Sequence, residues 1–154
     1  MLLDISKSVT LPSSVEAVWA FVREPAQVAA CLPSIHEFGP GGRPDRYATL
    51  LVERLGPFSV RIPLTIDVAE NAAGREIVAT VTGDDRAGQA RVRGEVRATV
   101  RPASDGATLE VASHVEVLGR MAALGAVPMR RRGDQIFDEF VRTIGARLEA
   151  ASRG

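Results

Sequence analysis

The chain holds a single cysteine among 154 residues, so it cannot close an internal disulfide, and Cys31 is left as the unpaired thiol expected in a reducing cytoplasm. Two histidines beside that one cysteine are too few for a standard structural zinc site, and no metal or other cofactor is expected. An excess of either charge is missing as well: 19 Lys and Arg balance 19 Asp and Glu, which leaves no field to attract a nucleic acid. No stretch approaches the roughly 20 apolar residues that span a bilayer as a helix; the uncharged run from Met121 to Met129 falls well short. At the start, Met1-Leu2-Leu3-Asp4 puts an acid where an export signal has basic residues and then an apolar run. The expected location is therefore the cytoplasm, with any membrane contact peripheral, at the inner surface. Aromatic side chains make up only 5% of the residues, which limits how a large core can be filled.

What remains, 45% hydrophobic and 25% charged, is a soluble globular composition at a length suited to one domain, residues 1–151, with 152–154 as a short tail. Leu3, Ile5, Val9 and Leu11 alternate with polar residues, interrupted only by Lys7, which predicts a half-buried strand ending at Pro12. Ser13-Ser14-Val15-Glu16 has the spacing of a capping box ahead of a short helix through Val18, Trp19 and Val22. Pro25 ends that helix, and a second short one is expected before Pro33.

From Ser34 the chain reads as strand after strand, separated by turn-forming clusters such as Gly56-Pro57, Asn71 to Gly74 and Ser104-Asp105-Gly106. Phe58 to Val68 and Ala90 to Val100 alternate cleanly, each with one dry and one wet face. Leu109 to Val117 does the same, with Glu110, His114 and Glu116 outside. The period then changes. Phe137, Phe140, Val141, Ile144 and Leu148 recur at helical spacing and predict an amphipathic helix that covers the sheet. Its upstream part, with Gly125 and Pro128, should kink near Leu124, and Gly133-Asp134 offers an alternative start. The fold class is thus α+β: a curved seven-stranded antiparallel sheet around a long C-terminal helix, with two short helices between strands 1 and 2.

A sheet dry on one face, with one substantial helix to cover it, must curl to bury its apolar surface. Ala90, Gly94, Ala98, Ala107 and Ser113 are small residues on the inward phase. Either they let the helix pack closely, or they leave a cavity. Such a cavity would be walled by Leu51, Ile62, Leu64, Val92, Val96 and Val111 from the sheet and by Met121, Leu124, Val127 and Met129 from the helical segment, so its ligand should be an apolar small molecule. His36, Tyr47 and Ser113 are the candidate polar handles for orienting it.

The succession strand, two short helices, six strands and long helix resembles the START-like helix-grip superfamily, also called SRPBCC. Within it, Val15-Glu16-Ala17-Val18-Trp19-Ala20-Phe21-Val22 and Val28-Ala29-Ala30-Cys31-Leu32-Pro33 look like the opening of the carbon monoxide dehydrogenase G-subunit (CoxG) family. Leu55-Gly56-Pro57-Phe58, Ala87-Gly88-Gln89-Ala90 and Val117-Leu118-Gly119-Arg120 extend the likeness over nearly the whole chain. The resemblance implies a cytoplasmic accessory protein of a molybdenum-containing carbon monoxide dehydrogenase or related hydroxylase, acting in maturation or membrane recruitment. Longer members carry a membrane-attaching C-terminal extension; this sequence ends at Gly154, and recruitment by such a tail is not expected.

Three functions follow: a non-catalytic carrier of a lipid-like, isoprenoid or quinone-like ligand; a recruitment factor working through protein contact; and a cyclase-like enzyme on a polyketide or aromatic substrate. The inward phases offer hydrocarbon where a cyclase needs acids and bases, so no catalytic residue is assigned. Cys31 on an apolar helix reads as an inert buried thiol, Trp19 as core, and Arg130-Arg131-Arg132 as a solvated surface with anionic lipid as the alternative.

Overall fold

The computed structural model describes residues 1–153. Strand β1 (Leu2–Leu11) leads into helices α1 (Val15–Val22) and α2 (Pro25–Ala30); then come β2 (Ile35–Pro40), β3 (Arg46–Leu55), β4 (Phe58–Asn71), β5 (Glu76–Asp84), β6 (Arg91–Ala103), β7 (Gly106–Leu118) and α3 (Ala126–Arg153). The seven strands form one antiparallel sheet in the order β1-β7-β6-β5-β4-β3-β2, so the meander closes by returning β7 to β1. Alternation in β6 sets Val92, Gly94, Val96, Ala98 and Val100 inward and the arginines between them outward. Gly94 marks a close approach between strands, since a Cβ there would stand 2.2 Å from the His114 carbonyl oxygen.

Ser14, rather than Ser13, caps α1, its hydroxyl accepting the Ala17 amide at 3.1 Å. With Ser14 as the cap, Ala17 is the third helical residue, whose amide lacks a partner within the helix. Pro25 opens α2, where its missing N–H costs nothing.

The expected kink near Leu124 is instead a clean break. A 3-10 turn over Arg120–Leu124 ends at Gly125, whose φ of 82° leaves the helical region, and α3 then runs unbroken through both Pro128 and Gly133. Pro128 is the third residue of α3, in the first turn whose amides have no intrahelical acceptor, so its ring removes no hydrogen bond.

Two apolar clusters fill the space between sheet and helix. One gathers Leu11, Val18, Trp19, Phe21, Val100, Leu109, Phe140, Ile144 and Leu148 under α1 and the C-terminal half of α3. The other gathers Val60, Ile62, Val92, Val117, Met121 and Met129 at the opposite end, beneath the 3-10 turn.

Candidate functional site: an apolar cavity between two cores

Between these clusters lies a cavity of about 390 Å³. The inward residues of β1, β5, β6 and β7 pass in order from one cluster, across the cavity, to the other. On β6 the sequence is Val92 (packed), Val96 and Ala98 (lining), then Val100 (packed). On α3 Met129 is packed, Gly133, Ile136, Phe137 and Phe140 face the cavity, and Ile144 is packed again. The space opens where wall residues are small: Ala79, Ala98, Ser113 and Gly133. Val28 of α2 and Leu32 just after it, with Phe38 of β2, form the remaining side.

Of the residues expected on the wall, the structure brings Leu64, Val96, Val111 and Ser113 together around the cavity. Ile62, Val92, Met121 and Met129 are buried in the second cluster, with Leu51 and Leu124 packed against it, and Val127 is turned to solvent at 67% exposure. The reason is the position of the helix. With α3 beginning only at Ala126, its first inward residue, Met129, lies over the filled end, and the turns that face the cavity come one to three turns later. His36 is exposed, and its carbonyl, not its ring, is engaged, accepting the Thr49 hydroxyl at 2.6 Å. Tyr47 does not reach the wall but stacks on Phe38, which does, with ring centroids 5.0 Å apart.

Two polar side chains were assigned no role from the sequence. Lys7 occupies the inward phase of β1, lines the cavity, and pairs through Nζ with Asp134 Oδ1 of α3 at 2.7 Å. Its signal was the single charge in an otherwise apolar phase. Glu53 is also inward, in register with Val60, and it accepts hydrogen bonds from the Ser34 hydroxyl and from Arg132 Nε, the latter at 2.8 Å. This contradicts the expectation of inward phases without acids. Glu53 is however tied to an arginine and a serine and is absent from the cavity wall, so it works as a brace from β3 to α3. Residues 132 and 134 thus fasten the helix to β3 and β1, near opposite edges of the sheet, while Gly133 between them faces the cavity.

A second depression, of about 430 Å³, lies over the outer phase of β1, β7, β6 and β5. Its charges pair with one another, Arg97 with Glu76 at 2.8 Å and Arg101 with Glu110 at 3.4 Å, as on an ordinary solvated sheet face. His114 is likewise on the outside, its Nδ1 engaged by Asp4 across the β1–β7 pair. Cys31 is buried beside α2, where desolvation pushes its thiol pKa up against a smaller opposing pull from Arg147. Among the described residues, no group of three or more His, Cys, Asp or Glu is placed to hold a metal ion.

A curved antiparallel sheet gripping a long C-terminal helix, with an apolar cavity between them, defines a START-like protein of the helix-grip fold. The chain belongs to the carbon monoxide dehydrogenase G-subunit (CoxG) family, whose model matches residues 8–149. Solved structures share the fold at low identity. A conserved protein from Geobacillus kaustophilus is 20% identical, with 97% of each chain covered and a TM-score of 0.85. A START superfamily protein from Mycobacterium smegmatis is 18% identical, with 96% of this chain and 98% of that one covered and a TM-score of 0.69. The Zhui aromatase/cyclase from Streptomyces sp. R1128 is 12% identical, with 99% and 94% covered and a TM-score of 0.57. The comparison with curated proteins yields no match.

Proposed function

We propose that this protein carries an apolar small molecule, of lipid-like, isoprenoid or quinone-like character, in the cavity between sheet and helix, without catalysing a reaction on it. It does so as an accessory to a molybdenum-containing carbon monoxide dehydrogenase or related hydroxylase, in the cytoplasm. The observation that carries the proposal is a cavity of about 390 Å³ whose side-chain wall is hydrocarbon apart from Lys7 and Ser113. An apolar-walled space of that size forgoes packing contacts that a bound apolar ligand would supply. The cyclase alternative needs acid and base groups on the wall, and the inward acid of β3, Glu53, is held elsewhere by Arg132 and Ser34. Native mass spectrometry and solvent extraction of gently purified protein test the carrier role. A bound apolar compound, or reversible uptake of one, is the expected result; a protein that neither holds nor takes up any such compound would rule it out. The enzyme partnership is tested by co-purification at endogenous levels.

A recruitment role has its own supporting feature. Val127 is exposed beside Arg130 and Arg131, both exposed, and this apolar tip with basic flanks suits an anionic membrane surface at about 1 kcal/mol per basic residue. Among the described residues no helix is long and apolar enough to cross a membrane, so such contact would be peripheral. Flotation with vesicles of mixed neutral and anionic lipid, comparing the wild type with Arg130→Glu/Arg131→Glu, tests it.

A further inference from the structure

Lys7 is the one charged side chain on the cavity wall, and its position on β1 gives it a definite chemistry. The side chain is 33% exposed, so its stem runs along the apolar space while the ammonium stands at the rim. Asp134 opposite it forms an ion pair with the ammonium, Nζ to Oδ1 at 2.7 Å. That partnership is fixed by how closely α3 lies on β1: a Cβ at Gly133 would stand 2.7 Å from Cδ1 of Ile5. Ser113 adds a hydroxyl to the same face. It pairs in register with Ile5, so it is the diagonal neighbour of Lys7, with backbones about 7–8 Å apart.

We propose, building on the carrier function above, that the Lys7–Asp134 pair makes this cavity selective for uncharged apolar molecules bearing a hydrogen-bond acceptor, such as a ketone or ester carbonyl, over the corresponding carboxylates. The pair is neutral as it stands, and the ammonium keeps donors free for a ligand. A carbonyl oxygen entering the rim takes one of them in a charge-assisted hydrogen bond and leaves the local charge at zero. A carboxylate would instead set two negative groups around one ammonium, and the repulsion between them, moderated by solvent at the rim, disfavours it against a neutral acceptor. Asp134 thus acts as the element that rejects anions, and Lys7 as the element that rewards a neutral acceptor.

The test uses the full chain loaded with the uncharged fluorophore N-phenyl-1-naphthylamine and displaced by 2-undecanone, methyl decanoate or decanoate at neutral pH. The wild type should release the fluorophore at lower concentrations of the ketone and the ester than of decanoate. Lys7→Met should weaken the ketone by roughly tenfold, the worth of a hydrogen bond to a charged donor. Asp134→Asn, an isosteric change that frees the ammonium, should shift the ketone-to-decanoate ratio about tenfold toward decanoate. Decanoate binding the wild type as tightly as the ketone, or a ratio unmoved by Asp134→Asn, would overturn the proposed selectivity while leaving the carrier function intact. A fluorophore that never enters the wild-type protein would overturn both.

Discussion

Two titrating groups act on stability with opposite signs. Cys31, 3% exposed, has its thiol pKa raised by burial, so the folded state favours the protonated thiol. Its contribution is complete below the ordinary thiol value of about 8.5 and is lost as pH rises through the higher folded value. The native protein should therefore react slowly with a disulfide reagent at pH 8 and rapidly in urea, as followed by thiolate release; equal rates in both would show an open thiol. Asp67 is the reverse case. The Arg46 guanidinium binds its carboxylate through two hydrogen bonds, at 2.7 and 2.9 Å, and holds its pKa below the usual range. Its contribution is present above about pH 4 and disappears as pH falls. Asp67→Asn should lower the urea midpoint at pH 7 and lose that difference from the wild type progressively as pH falls below about 4. Single residues were unevenly legible in the sequence. Lys7 stood out as a charge in a dry phase, whereas Glu53 did not, because Leu50, Leu51 and Val52 put apolar side chains on both phases of β3 and hid which face was inward.

The strands were the most readable elements, since a sheet with one wet face writes its register as period-two alternation, and β4, β6 and β7 carry it over most of their length. The start of α3 was harder. Gly125 and Pro128 both signal disruption, and a sequence does not say whether a proline is interior to a helix or in its first turn. The structure separates the two roles, because Gly125 has a φ of 82° while Pro128 is helical. Gly125→Ala should thus cost about 1–3 kcal/mol from the backbone alone, since φ 82° with ψ 174° is a conformation essentially confined to glycine and nothing lies within 4 Å of the added methyl group. Pro128→Ala should change stability by less than about 1 kcal/mol, no helix hydrogen bond being at stake. Urea unfolding of the two variants checks the pair, and a larger loss for Pro128→Ala than for Gly125→Ala would reverse this assignment of the break.

At the scale of the molecule, small inward residues were visible in the sequence, but their meaning depended on where the helix crosses them, which only the tertiary arrangement supplies. Ala98 decides between a ligand space and a close-packed core. It lies on the cavity wall between Ile77 and Val111 in register. Were the interior full at that point, Ala98→Leu would overpack it and cost about 1–3 kcal/mol. Into a cavity of about 390 Å³ the added carbons enter free space, and their burial contributes up to about 2 kcal/mol of stability. The same carbons occupy the volume a ligand would take. Ala98→Leu should therefore raise or preserve the urea midpoint while lowering affinity for N-phenyl-1-naphthylamine at least about tenfold, an opposition of signs that follows from retained empty space and not from a packed interior. A variant that loses stability and binding together would mean that the wall at Ala98 is already filled, and that the space for a ligand must be created by movement of α3.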